Sequence, residues 1–160
     1  MLSIREACSS EDLAQVRRLF EEYAGSLGVD LCFQDFEQEL ATLPGSYAPP
    51  AGRLLLASWD AVVAGCVALR PLEPRVCEMK RLYVRPGFRA LGVGRVLVEQ
   101  AVRRGAAAGY ARMRLDSLPS MAAAIALYRR LGFYDIPPYR DNPVEGAVFL
   151  ELPLNGPSDS

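Results

Sequence analysis

Residues 78–95, Glu-Met-Lys-Arg-Leu-Tyr-Val-Arg-Pro-Gly-Phe-Arg-Ala-Leu-Gly-Val-Gly-Arg, restrict the fold more than any other stretch of this chain. The first seven are bulky, partly β-branched or aromatic, and read as a strand. Pro86 and Gly87 end it, because proline has no N–H for a ladder and glycine turns at little cost. Val93, Leu97 and Ala101, with Val96, Val98 and Val102 beside them, then give the broad apolar stripe of a mostly buried helix. Tyr110-Ala111-Arg112-Met113-Arg114-Leu115-Asp116 follows as a second strand. A helix between two strands is a crossover, so strands 77–84 and 110–116 are expected to lie parallel, in an α/β (α+β) architecture.

The loop joining strand to helix has chemistry of its own. The first amides of a helix lack intrahelical partners, and the helix dipole places partial positive charge at the same end. Gly92 and Gly94 let backbone approach a bound group with no Cβ in the way, so successive N–H groups can wrap a phosphate or diphosphate. Arg89 and Arg95 add charge at both edges. The pattern lacks the Gly-Lys-Ser/Thr of a Walker loop and the third glycine of a dinucleotide fingerprint.

The remaining elements fit around this unit. Residues 2–8 alternate as a half-buried strand. Ser9 or Ser10 caps a helix with Leu13, Val16, Leu19, Phe20 and Tyr23 on one face, ending near Gly25 or Gly28. Phe33, Phe36, Leu40 and Leu43 mark a second helix that stops before Pro44. Strands 53–59 and 62–72 meet at Asp60-Ala61 as a hairpin. Residues 121–131 form a helix with Gly132 as a left-handed cap, and 144–152 the last strand. The 160 residues suit one domain, 1–154, with 155–160 as a flexible C-terminal tail.

Composition narrows the chemistry. No apolar run approaches the roughly 20 residues of a membrane helix, and the N-terminus lacks the apolar core of a secretory signal, so a cytoplasmic protein without membrane association is expected. Cys8, Cys32, Cys66 and Cys77 form no C-x-x-C pair, which argues against a zinc site; no metal is expected. Without any histidine, the chain cannot build a Ser-His-Asp or Cys-His nucleophile. Cys77, beside the central strand, reads as a buried structural thiol for the same reason.

Charge is uneven although the net value is −1. Acids dominate residues 1–44 (Glu6, Glu11, Asp12, Glu21, Glu22, Asp30, Asp35, Glu37, Glu39), and bases dominate 75–114 (Arg75, Lys80, Arg81, Arg85, Arg89, Arg95, Arg103, Arg104, Arg112, Arg114). The bases surround the anion-binding loop, so a polyphosphorylated coenzyme accounts for them, and no nucleic-acid partner is expected.

Two motifs carry a family resemblance. Arg-x-x-Gly-x-Gly after a strand resembles the pyrophosphate loop of the GCN5-related N-acetyltransferase (GNAT) superfamily. Ala124-Ile125-Ala126-Leu127-Tyr128-Arg129-Arg130-Leu131-Gly132-Phe133, starting 35 residues after Arg89, is similar to its second signature. The string Arg-Leu-Asp-Ser-Leu-Pro-Ser-Met resembles a bacterial subgroup of GNAT acetyltransferases of unassigned substrate.

The resemblance implies a GNAT fold: a mixed sheet of six to seven strands, about four helices, and parallel strands 77–84 and 110–116 splayed at a bulge. It implies acetyl-CoA as co-substrate and direct transfer of acetyl to a primary amine of a small molecule or peptide, without a covalent enzyme intermediate. Backbone N–H groups near Leu82, Tyr83 and Val84 would face the thioester, and Arg89, Ala90, Leu91, Gly92, Val93, Gly94 and Arg95 would hold the diphosphate. The family frequently has Asn where this chain has Met121; Ser117 or Ser120 could take over that contact with the pantetheine arm.

Tyr128 resembles the family's general acid. Glu78 falls where histone-type members carry a catalytic glutamate, with a salt bridge to Lys80 or Arg81 as its other reading. Arg81, Tyr83, Tyr139, Arg140 and Asn142 would shape the acceptor pocket, and the N-terminal acids would face either solvent or a cationic acceptor. A homodimer is common in the family. The alternative function is a non-catalytic acyl-CoA-binding sensor, which shares the loop but needs neither Tyr128 nor a base.

Overall fold

The computed structural model describes residues 1–27 and 35–154. Within them, β1 (Leu2–Glu6) leads into α1 (Ser10–Leu27), α2 (Phe36–Ala41), β2 (Arg53–Trp59), β3 (Val62–Glu73) and β4 (Val76–Val84). Then come α3 (Val93–Ala107), β5 (Arg112–Ser117), α4 (Ala122–Arg130), β6 (Tyr134–Asp135) and β7 (Val148–Pro153). The seven strands form one sheet in the order β1-β2-β3-β4-β5-β7-β6. Among the described strands only β4–β5 is parallel, as the crossover through α3 requires.

The β2–β3 hairpin closes through Asp60 and Ala61, both left-handed at φ 48° and 70°. A two-residue turn with positive φ at both positions matches the twist of its strands. β4 is buried on both faces, which explains why its sequence does not alternate cleanly. On one face Cys77 and Met79 pack with Val93, Leu97, Val98 and Ala101 of α3 and with Tyr128 and Phe133. On the other, Tyr83 joins Val16, Leu19 and Phe20 of α1, Tyr47 and Leu56.

Several boundaries differ from expectation: β1 ends at Glu6 rather than at residue 8, and β5 runs Arg112–Ser117 rather than 110–116. The last strand starts at Val148, not at 144, because Asn142 and Gly146 (φ +80°) hold the chain in a turn before it. The two-residue β6 adds to its edge through Tyr134↔Glu151 and was too short to carry a periodicity. Phe33, Cys32 and the tail 155–160 lie outside the described residues. Among the described residues, no helix is long and apolar enough to cross a membrane.

Candidate active site

The parallel pairing of β4 with β5 is short. Val76↔Arg112, Cys77↔Met113 and Glu78↔Arg114 are in register, and the ladder stops there. Beyond it the two strands part and leave a cleft lined by Lys80, Leu82, Leu115, Ser117, Met121 and Tyr128.

A bulge marks the start of the divergence. Against β3, Cys66 faces Tyr83 and Ala68 faces Lys80, so β4 uses one more residue than its partner across the same span. Arg81 takes the strain with φ +62°. Gly65 sits opposite, where a Cβ would lie 2.4 Å from the Tyr83 carbonyl oxygen, so only glycine lets β3 come this close.

The loop after β4 is open. Gly92, left-handed at φ +82°, precedes α3, and a Cβ there would meet no atom within 4 Å. No acid occupies the first turn of α3 and no side chain caps it, so its leading amides and dipole face a space with room for an anion. Arg89 does not extend over this space: its Nε donates to the Val84 carbonyl (2.9 Å) and its guanidinium lies 5.9 Å from the Tyr83 ring centre. Arg95 is exposed and loosely paired with Glu99 (3.5 Å).

Tyr128 is fixed from below by the end of its own helix. Phe133 N–H donates to the Tyr128 carbonyl (3.0 Å) and Gly132 N–H to that of Arg129 (3.1 Å), with Gly132 at φ +104°, which is a Schellman ending. The same turn brings the Phe133 ring within 5.7 Å of the Tyr128 ring. Among the described residues the Tyr128 hydroxyl has no hydrogen-bond partner, and burial raises its phenol well above the usual range. Ser117 lies in the cleft with its Oγ 3.7 Å from the Met121 sulfur, whereas Ser120 is exposed.

Glu78 is held differently from what a base requires. Its carboxylate is fully buried and accepts from Arg70 Nε (2.9 Å), the Tyr139 hydroxyl (2.6 Å) and Arg140 (2.5 Å). Burial alone would raise its pKa, but Lys80, Arg70, Tyr139 and Arg140 together bring it below the ordinary carboxylate value. The salt bridge expected with Lys80 or Arg81 is made with Arg70 and Arg140, whose long side chains converge from β3 and from the loop before β7. Sequence spacing carries no signal for such a meeting.

Lys80 lies in the cleft and is 5% exposed, with Asp116 at 3.8 Å. Burial pulls its pKa down to about 8, partly offset by Glu78 and Asp116. Asn142 donates to Asp116 (3.3 Å), which brings the loop before β7 to the same point. Lys80 and Asp116 were not singled out as site residues from the sequence.

Some of the unevenly spread charges meet across the fold. Glu39 makes a two-pronged pair with Arg81 (2.9 and 3.0 Å), and Glu22 pairs with Arg85 (2.9 Å) and accepts from the Tyr83 hydroxyl (3.3 Å). Glu6 meets Arg104 (3.0 Å), and Glu151 takes both Arg112 and Arg114. Three acids of the N-terminal segment thus pair with bases of the 75–114 segment, which ties the two regions together.

Comparison with known proteins agrees with this geometry. The profile of the acetyltransferase (GNAT) family matches residues 13–133. An uncharacterized N-acetyltransferase of Schizosaccharomyces pombe is 38% identical over 156 residues, 96% of each chain. An IAA acetyltransferase of Azospirillum brasilense is 36% identical over 111 residues, 67% of this chain and 71% of that one. A GNAT-family acetyltransferase structure from Staphylococcus aureus superposes with a TM-score of 0.79, covering 97% of this chain and 100% of that one at 18% identity. The acetyltransferase yncA of Salmonella typhimurium, solved with its cofactor acetyl-CoA, gives 0.66 over 96% and 94% at 21% identity.

Proposed function

Because the chain belongs to the acetyltransferase (GNAT) family, and is thus an acetyl-CoA-dependent acyltransferase, we propose that it moves acetyl directly to a primary amine of a small molecule or peptide in the β4–β5 cleft. The observation that carries this reading is the ladder that ends at Glu78↔Arg114, with Tyr128 in the opening beyond it. A strand pair that parts inside a sheet leaves backbone groups facing a cleft instead of a partner strand, and such preorganised donors are what a developing oxyanion needs.

In the proposed arrangement, the amides opening α3, from Gly92 to Arg95, hold the diphosphate. Ser117 and Met121 border the pantetheine arm, and the backbone at Leu82–Val84 faces the thioester carbonyl. The amine nitrogen attacks that carbon, so a C–N bond forms, and the C–S bond breaks as the carbonyl is restored. The amine loses one proton and the departing thiolate gains one.

Tyr128 supplies the second proton. Its raised pKa keeps it protonated until sulfur leaves, and the same desolvation that raises the phenol also raises the thiolate in that cleft, which keeps the transfer from becoming steeply uphill. For the first proton, Lys80 is better suited than Glu78: it lines the cleft, and a pKa of about 8 lets a useful fraction be neutral near physiological pH. Glu78 serves to hold Arg70, Tyr139 and Arg140 in place.

The test is a thiol-release assay with acetyl-CoA and a panel of primary amines, run beside an acetyl-CoA titration. Saturable binding with amine-dependent release of CoA is the expected result. Tight binding with no release over any amine would support a sensor, and no binding would remove the reading altogether.

A further inference from the structure

Resting on the acetyl-transfer reading of the cleft, we propose that the acceptor amine also carries a carboxylate, which docks on Arg70, Arg140 and the Tyr47 hydroxyl in a second cavity beside the thioester site. The cleft itself has room for only about 30 Å³, too little for the body of an acceptor, whereas the adjoining cavity offers about 440 Å³. The two adjoin at neighbouring and paired residues. Glu39 lines the cavity while its partner Arg81 lines the cleft, and Arg140 and Asp141 of the cavity run directly into Asn142 of the cleft.

The two arginines on the cavity floor indicate where a carboxylate binds. Arg70 and Arg140 both contact Glu78, so two guanidinium groups share one carboxylate and one positive charge is left over. Of the carboxylates in the lining, Glu39 is paired with Arg81, while Asp35 and Asp141 stand at the exposed edge, away from this floor. Arg70 and Arg140 are 26% and 22% exposed, and each has five N–H donors, more than its contacts with Glu78 use. Their planar forks suit a carboxylate.

Tyr47 supplies a second, independent observation. It is 2% exposed and lines this cavity, and its hydroxyl has no hydrogen-bond partner among the described residues. Burial and the nearby Glu39 carboxylate push this phenol up, but both Glu39 oxygens accept from Arg81 and neither lies at hydrogen-bond geometry to the hydroxyl. A buried, unsatisfied hydroxyl is a cost to the free protein, and phenylalanine would fill the same space without it. A ligand oxygen arriving between Tyr47 and the two arginines removes that cost. The exposed Asp35 and Asp141 in the same lining accommodate a second, non-reacting ammonium where the acceptor carries one, as lysine does.

The experiment compares matched amines that differ only in the carboxylate: L-lysine against 1,5-diaminopentane, β-alanine against ethylamine, and a lysine-containing tripeptide against its C-terminal amide. Binding is read by calorimetry and turnover by thiol release. We expect the carboxylate member of at least one pair to be preferred tenfold or more. Tyr47→Phe should fold with an unchanged or higher Tm while narrowing that preference about fivefold through KM. Turnover with no preference in any pair, or binding of neither member in all of them, overturns the carboxylate subsite; the former leaves acetyl transfer standing. Binding with the expected preference but without turnover retains the subsite and removes the transfer reading. A preference untouched by Tyr47→Phe and by Arg140→Gln overturns the assignment to this cavity.

Discussion

Tyr128 illustrates how a helix ending can position a reactive group. The Schellman turn at Gly132 and the contact with Phe133 orient the ring, and the cleft leaves its hydroxyl without a protein partner. Tyr128→Phe keeps the packing and removes only the proton, so kcat should fall about a hundredfold with little change in acetyl-CoA affinity, consistent with the roughly 10²–10⁴ of general acid catalysis. Unchanged turnover would leave Tyr128 as a packed aromatic. Lys80 makes a separate prediction. As a base it must be neutral, so kcat should drop below a pKa of about 8, tenfold per pH unit, and Lys80→Gln should lose that limb along with most of its rate. A profile with the same limb in Lys80→Gln would assign the titration elsewhere.

At the scale of elements, the site depends on β4 leaving its neighbour. Gly65 makes this possible, because β3 presses against the Tyr83 carbonyl where β4 bulges. Gly65→Ala places a Cβ 2.4 Å from that oxygen, so the pair must move apart. We expect a loss of about 1–3 kcal/mol in urea unfolding, and a fall in kcat larger than the fall in acetyl-CoA affinity, because the bulge positions the thioester backbone while the loop before α3 is untouched. Equal losses in both would mean general unfolding. The crossover, the hairpin and the glycine loop were legible in the sequence because each is local: Pro86-Gly87 ends a strand, Asp60-Ala61 turns one, and Val93 to Ala101 repeats at helical spacing. The bulge at Arg81 was expected through resemblance alone, since no turn residue marks it. β6 and the late start of β7 were missed because two residues have no period.

Taken as a whole molecule, the fold is tied together by ion pairs between segments far apart in sequence, and these could not be read from composition. Glu78 joins β3, β4 and the loop before β7 through Arg70, Tyr139 and Arg140. Glu22, through Arg85, and Glu151, through the Tyr134 hydroxyl and then Arg114 and Arg112, likewise have lowered pKa values. A carboxylate whose folded pKa lies below its unfolded value contributes stability above the unfolded pKa, and loses it as pH falls through the folded one. The urea midpoint should therefore decline as pH drops below about 4.5, the ordinary value for glutamate. Glu78→Gln should cost about 1–3 kcal/mol at pH 7, because it removes the buried carboxylate that the partly exposed Arg70 and Arg140 share, and should flatten part of that decline. A midpoint independent of pH between 7 and 3 would show that the network does not support the fold.

Acetyl-CoA titrated into ¹⁵N-labelled protein, followed by amide shifts, tests the central claim most directly. Two separate groups should move together: Gly92 to Val96, where the diphosphate meets the start of α3, and Leu82 to Val84, where the thioester meets the parted edge of β4. Binding that shifts neither group, or shifts the loop and leaves Leu82–Val84 unchanged, would contradict a catalytic cleft between β4 and β5.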